Sequence, residues 1–445
     1  MRLALATRYS NSLSQKVTNA PLVTFRLLFG ALMVVSILRF WINGWIYDLY
    51  IAPKLYFPFI EGLKPVPGDG MYVVFGAMLL AATMIMVGAY YRVATTAFFL
   101  LFTYVELLDK TNYLNHYYFV SLLSFLLIFI PAHKDFSWDV RFGRTKPTAE
   151  APRIFIQVLR LQMAILYVFA GIAKINSDWL LRAQPMKMWL AANVYQPVIG
   201  ELFRYKLTAY IFSWFGMVYD TTIPFWLSWK KSRVPAYVTV VIFHLMTWWL
   251  FPIGMFPFIM IAITTVFFSP ESHQRVLQQF KNWTRWQAPL PKSNAAVSPA
   301  IKWLFIGYFA VQFLLPMRYL AYPGDLFWTE EGYRFSWRVM LMEKAGQASF
   351  YVKDKGQEKA FLVPNYEYLT QQQEKMMATQ PDMIVQYAHM LEEIYKAKGL
   401  TDPVITAEVY VTLNGRPNRQ FIDPKVDLTE VRNDWRHKTW ISRYD

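Results

Sequence analysis

The chain of 445 residues contains no cysteine, which excludes disulfide bonds, thiolate metal sites and a cysteine nucleophile in any compartment. Histidine is scarce too: the six present are scattered, with no His-Glu-x-x-His helix among them. A Gly-rich phosphate loop and a Gly-x-Ser-x-Gly elbow are also missing, so the common metalloprotease, nucleotide-binding and serine-hydrolase chemistries have no sequence support. Charge is thin, 17% of residues against 55% hydrophobic and 18% aromatic, too little to solvate an ordinary globular surface. The net charge of +15 would suit nucleic acid, but the basic residues punctuate apolar runs instead of gathering on a polar face. The expected environment is therefore a lipid bilayer, with no nucleic-acid partner.

What the chain does have is a series of apolar stretches able to cross roughly 30 Å of hydrocarbon. They run over Pro21–Tyr47, Met71–Tyr91, Val93–Leu108, Asn115–Pro131, Ile154–Ala173, Leu207–Trp229, Pro235–Leu250, Ile253–Phe268 and Ile301–Ala321. The fold class this predicts is a polytopic α-helical membrane protein of about nine spans with a C-terminal α+β extramembrane domain. The breaks at Tyr91-Arg92 and Phe251-Pro252 are each either a hairpin between spans or a kink in one longer helix. The N-terminal stretch to Ala20 lacks the pattern of a cleaved signal peptide, so the first span is expected to remain as an anchor. Lys134, Arg141, Arg144, Lys146 and Arg153, then Lys230, Lys231 and Arg233, then Arg275, Lys281, Arg285, Lys292 and Lys302 fall in alternate connections. Positive charge stays cytoplasmic, which puts the N-terminus inside and the C-terminal domain on the periplasmic or lumenal side. The membrane would be the inner membrane of a bacterium or the endoplasmic reticulum of a eukaryote.

Two domains are expected, a helical transmembrane domain over 1–321 and an extramembrane domain over 322–445. In the second, Trp337–Glu343, Ala348–Lys353 and Lys359–Val363 read as strands, with a turn at Asp354-Lys355-Gly356. A helix is predicted over Tyr368–Lys398, then a hairpin over Val404–Ile422 turning at Asn414-Gly415, with Pro417 making its second strand an edge. Ala149–Pro152 and Pro289–Pro299 read as loops.

Lys174 closes an apolar run in Tyr167-Val-Phe-Ala-Gly-Ile-Ala-Lys174, with Ala170, Gly171 and Ala173 leaving room beside it. A lysine at a span end ordinarily extends to the interface as an anchor. In a dry site its amine instead loses charge and serves as a general base. His116, after Asn115, lies at the same expected face, and His244 sits in the outer half of an aromatic span. Each is either a helix-to-helix hydrogen bonder or a ligand contact. The residues themselves leave these alternatives open.

Several segments together resemble the vitamin K-dependent gamma-carboxylases: Asp109-Lys110-Thr111 with Asn115-His116, Ala170-Gly171 with Lys174 and Asp178-Trp179, Phe243-His244, Ile253-Gly254-Met255-Phe256 and Phe268-Ser269-Pro270-Glu271. In the tail, Gln386-Tyr387-Ala388 and Asp423-Pro424-Lys425-Val426-Asp427 match as well, and the order is kept from about residue 100 to 430. The resemblance implies that Lys174 is the base acting on vitamin K hydroquinone and that His116 shares in catalysis. It further implies that Asn115 and His244 bind the quinone and that Tyr387 binds substrate. The implied reaction couples epoxidation of reduced vitamin K by dioxygen to carboxylation of peptidyl glutamate by carbon dioxide, without a metal. Its partners would be a glutamate-containing peptide and the bilayer.

There are departures. Ala173 stands where animal members have the first of two lysines, Thr247 replaces an asparagine, and the family's disulfide is absent. The chain also ends soon after the Asp-Pro-Lys-Val-Asp match, which points to a shorter, bacterial-type homologue with another acceptor. Two other classes fit the composition: a quinone-dependent membrane monooxygenase or epoxidase without carboxylation, and a non-catalytic transporter or binding protein. A transporter should show paired inverted halves, and no such symmetry is visible.

Overall fold

The computed structural model describes residues 14–287, 291 and 296–444. Expectations for the first thirteen residues and for most of the 289–299 loop therefore lie outside the described residues. A helix lies on each apolar stretch: α1 Ala20–Ile42, α2 Gly70–Val87, α3 Tyr91–Leu108, α4 Asn115–Phe129, α5 Ile154–Ala173, α6 Lys206–Ser228, α7 Arg233–Leu250, α8 Phe256–Thr264 and, after an amphipathic α9 Pro270–Trp283, α10 Pro299–Met317. Six of these helical segments are long and apolar enough to cross a membrane. The other three differ for identifiable reasons: α4 and α8 are too short, and α6 carries Lys206, Asp220 and a run of hydroxyl side chains. Satisfying every backbone amide within the segment is what makes helices the spanning form here.

Both breaks are turns between helices. At the first, Gly88 takes a left-handed φ of 69° and its amide bonds the carbonyl of Ile85, which ends α2 before Tyr91 opens α3. At the second, α7 stops at Leu250, and Pro257 in the first turn of α8 needs no amide partner. The helices share one core in which Phe29, Phe98, Leu123, Leu159, Met163, Val240 and Ile263 are buried. A short ladder of β1 Lys16–Thr18 with β2 Glu150–Pro152, not foreseen, ties the N-terminal segment to the start of α5.

The C-terminal part is an antiparallel four-stranded sheet in the order β4-β3-β5-β6, with β3 Lys344–Asp354, β4 Phe361–Leu362, β5 Pro403–Leu413 and β6 Arg419–Gln420. β3 and β5 pair from Lys344 opposite Leu413 to Asp354 opposite Pro403. Alternation sends Ile405, Ala407, Val409 and Val411 to one face. The turn at Asn414-Gly415 holds both residues at positive φ, 51° and 74°, as the Asn-Gly pair predicts.

Two expectations are corrected. The long helix is two, α11 Gln371–Met377 and α12 Pro381–Ala397: a capping box of Thr370 and Gln373 starts the first, and Pro381, unable to continue it, starts the second. Trp337–Glu343 is not a strand. Trp337 and Met340 take φ of 60° and 50°, and the segment turns its side chains inward, stacking buried Trp337 on Tyr118 at 5.0 Å.

A second core joins the sheet and α12 to the membrane helices: Phe350, Ile405, Met383 and Leu391 pack in one cluster with Ala173, Trp179, Leu190 and Leu250. Polar contacts fix the same junction. Asp109 accepts from Gln373 at 3.0 Å, and Lys110 donates to Gln386 at 2.9 Å and pairs with Asp382 at 3.0 Å. Arg334 lies 2.6 Å from the same Asp382 carboxylate. Burial alone would raise the Asp382 carboxyl, but Arg334 and Lys110 outweigh it and hold the group well below the usual carboxylate range.

A depressed folded-state value contributes stability that is present above the ordinary carboxylate range and lost as pH falls through the folded value. Asp382→Asn is therefore expected to cost about 2–3 kcal/mol at pH 7. Thermal unfolding in detergent should show the two proteins converging only below about pH 4; a constant gap down to pH 3 would contradict this.

Candidate functional site

Lys174 follows α5 directly and is 6% exposed, so it is not an interfacial anchor in this fold. Its Nζ lies 2.8 Å from Asp220 Oδ2 and 3.2 Å from the carbonyl of Ala170, and 5.4 Å from the centre of the Trp179 ring. Asp220 sits in mid-α6, and the pair forms because α5 and α6 pack unusually close at Gly171, where an added Cβ would stand 2.5 Å from the Thr221 amide nitrogen. The small residues before Lys174 thus serve helix approach, and through it the ion pair. Sequence reasoning missed Asp220, although a lone carboxylate inside an otherwise apolar helix was a usable signal.

The pair borders a cavity of about 340 Å³ between α5, α6, α7 and α8. Trp179, Phe212, Phe243, Phe256 and Met260 are among the residues of its wall. His244, 2% exposed, lines it with Nε2 3.1 Å from the Tyr167 hydroxyl and with Nδ1 lacking a hydrogen-bond partner among the described residues. An aromatic cavity with a few convergent polar groups is the ordinary form of a site for a flat, lipophilic ring.

A second cavity, about 750 Å³, carries more polar side chains than the first. Its lining includes His116, Asn115 and four cations, Lys110, Arg39, Arg334 and Arg338, against two carboxylates, Asp48 and Glu330. His116 makes no hydrogen bond with the described residues and stands over Phe256 at 5.6 Å between ring centres. Asn115 donates to the carbonyl of Arg338 at 3.0 Å and accepts from the Tyr113 hydroxyl at 3.2 Å. Arg39 has no hydrogen bond or ion pair within the described residues, only the Trp45 ring at 4.6 Å, and Arg338 Nε is likewise without a hydrogen-bond partner.

The two cavities share Ile253, Phe256, Val339 and Met340 as a common wall. Phe256 touches both histidines, with His244 at 5.8 Å and His116 at 5.6 Å between ring centres. Lys174 and His244 therefore meet at one cavity, His116 and Asn115 at the next. Tyr387 belongs to neither: it is fully buried in the sheet–helix core, edge-on to Phe350 at 4.9 Å. Its neighbour Gln386 donates to the carbonyl of Pro58, in the connection between α1 and α2, at 3.1 Å.

A bundle of membrane-crossing helices carrying an α/β C-terminal part, with a dry ion pair beside an apolar cavity, defines a multi-pass membrane protein with an internal site. The family model of the HTTM domain matches residues 14–271, and that of the vitamin K-dependent gamma-carboxylase lumenal domain matches residues 297–445. The chain belongs to the vitamin K-dependent gamma-carboxylase family. No solved structure matches it.

Proposed function

We propose that the chain is a vitamin K hydroquinone-dependent gamma-glutamyl carboxylase, epoxidising the quinone with dioxygen while carbon dioxide is added to a peptidyl glutamate. The observation that carries this reading is the pair of adjoining cavities, one apolar and one cationic, separated by Phe256. A lipophilic ring suits the first and a carboxylate suits the second, so the two substrates would meet across one aromatic wall. Residues 1–321 form the membrane domain in this reading. Residues 322–445 form the outer one, and the N-terminus is cytoplasmic as the basic connections require.

Reduced vitamin K supplies, with dioxygen, a base strong enough to take the glutamate γ proton. Lys174 and His244 would hold the ring, and the unpartnered His244 Nδ1 is available for a ring oxygen. At Lys174 Nζ a proton is taken with the Asp220 carboxylate 2.8 Å away, which neutralises the charge created in a medium that solvates it poorly. Water exclusion by the aromatic wall protects a strong base and a carbanion from quenching. His116 faces the substrate side, next to the glutamate.

Carboxylation leaves two carboxylates on the same γ carbon, so the polar cavity must supply cations. Lys110 and Arg334 are already paired with Asp382, whereas Arg39 and Arg338 have no ion-pair partner among the described residues, and we assign Arg39 to the glutamate. Arg39→Gln is expected to raise KM for a glutamate peptide about tenfold, the loss of one charge-assisted hydrogen bond, while KM for hydroquinone stays unchanged. Equal changes in both constants would remove Arg39 from glutamate binding.

The whole reading is tested by incubating the protein in nanodiscs with vitamin K hydroquinone, labelled bicarbonate and a glutamate-rich peptide. Epoxide and peptide-bound label together support it. Epoxide alone across several peptides would favour the epoxidase without carboxylation, and neither product would overturn the enzymatic reading.

A further inference from the structure

A third cavity, about 480 Å³, lies between α3, α4 and α10, away from Lys174, Asp220, His244 and His116. Phe99, Leu122, Phe125 and Leu304 make its wall apolar. Two polar groups facing it have unmet needs. Glu106 of α3 makes no hydrogen bond or ion pair within the described residues, in a setting where a carboxylate is costly unless partnered. Gln312 of α10, 3% exposed, donates its Nε2 to the Tyr118 hydroxyl at 3.2 Å but leaves Oε1 without a partner. A buried amide oxygen left unbonded loses its hydration without replacement.

Both needs have the same sign. A carboxylate and an amide oxygen are acceptors only, three oxygens in all, so an occupant must bring donors, and a positive charge improves the match. A primary ammonium has three N–H donors. Its depth is set by Glu106, which lies within the last turn of α3, two residues before its end at Leu108, where the hydrocarbon gives way to headgroups. The apolar remainder of the cavity accepts a chain. It also opens along α10: Val311 is 53% exposed, and a side chain added at Gly307 would meet no atom within 4 Å.

From this geometry we infer a lipid site, separate from the catalytic cavities, that holds a membrane amphiphile by its primary-ammonium headgroup, with Glu106 and Gln312 as acceptors. A trimethylammonium head has the charge without the N–H groups, so it satisfies neither oxygen by hydrogen bonding. The site shares only Tyr113 with the cationic cavity and stands whether or not the chain is a carboxylase.

The test uses the full-length protein, delipidated in detergent, titrated with phosphatidylethanolamine or phosphatidylcholine of identical acyl chains and read by native mass spectrometry. Wild type should retain the ethanolamine lipid about tenfold more tightly. Glu106→Gln should remove that preference, lowering retention of the ethanolamine lipid more than that of the choline lipid. Gly307→Leu, which fills the opening, should weaken both lipids without lowering Tm. Equal retention of the two lipids by wild type, or an ethanolamine preference that survives Glu106→Gln, would overturn the site.

Discussion

Lys174→Ala should lower the rates of epoxide formation and of label fixation together by about 10²–10⁴, the usual range for removing a positioned general base. The two products must fall in parallel, because proton removal from the hydroquinone precedes both. The variant also strands Asp220, a buried carboxylate, and breaking such a pair costs about 3–5 kcal/mol. Loss of activity by misfolding is separated from loss of the base by a second protein, Lys174→Ala with Asp220→Ala. The double variant leaves no orphaned charge and should recover most of the thermal stability while remaining inactive. A recovered fold with recovered activity would remove Lys174 from the chemistry. Asp220→Asn, which keeps the shape, should also depress both products, since the amine then takes a proton without a counter-charge beside it.

Asp178→Ala is expected to have the largest effect on stability outside the cavity, about 3–5 kcal/mol. Its carboxylate is buried at the start of the short helix Ser177–Leu181 and accepts from Asn414 Nδ2 at 2.8 Å and from Arg182 at 3.3 Å, and it is ion-paired with Arg416. One acid thereby clamps the Asn414-Gly415 turn to the segment that follows Lys174. Without it the Arg416 guanidinium loses its ion-pair partner, and the next residue, Trp179, whose Nε1 donates to the carbonyl of Ser213 at 2.7 Å, loses its neighbour's anchor. Hydrogen exchange should accelerate first at residues 413–416 and then along 175–182. Exchange confined to the hairpin, with Tm unchanged, would show that the apolar contacts of Trp179 and Leu190 suffice to hold the junction.

The cavity makes clear where sequence reading stopped. Lys174 was conspicuous as a charge at the end of an apolar run, and His116 and His244 as polar residues in apolar surroundings. Asp220 carries the same kind of signal, but nothing in linear order relates it to a lysine 46 positions away. Arg39 and Arg338 lie in segments that read as a span end and a strand; only the irregular course of residues 337–343 brings Val339 and Met340 to the cavity wall. Tyr387, implied by resemblance as a substrate contact, is buried in the core that joins the tail to the membrane part, away from both cavities, while Gln386 beside it meets Lys110.

The apolar runs, the basic connections and the Asn-Gly turn were determined by sequence alone, because span length, charge placement and left-handed turn residues each act over a few neighbouring positions. The pairing of β3 with β5, the division of the long helix at Pro381 into two packed pieces, the Lys174–Asp220 contact and the two cavities joined at Phe256 were decided only in three dimensions. They depend on which distant surfaces close together, and burial energy is a property of the closed packing rather than of any one segment.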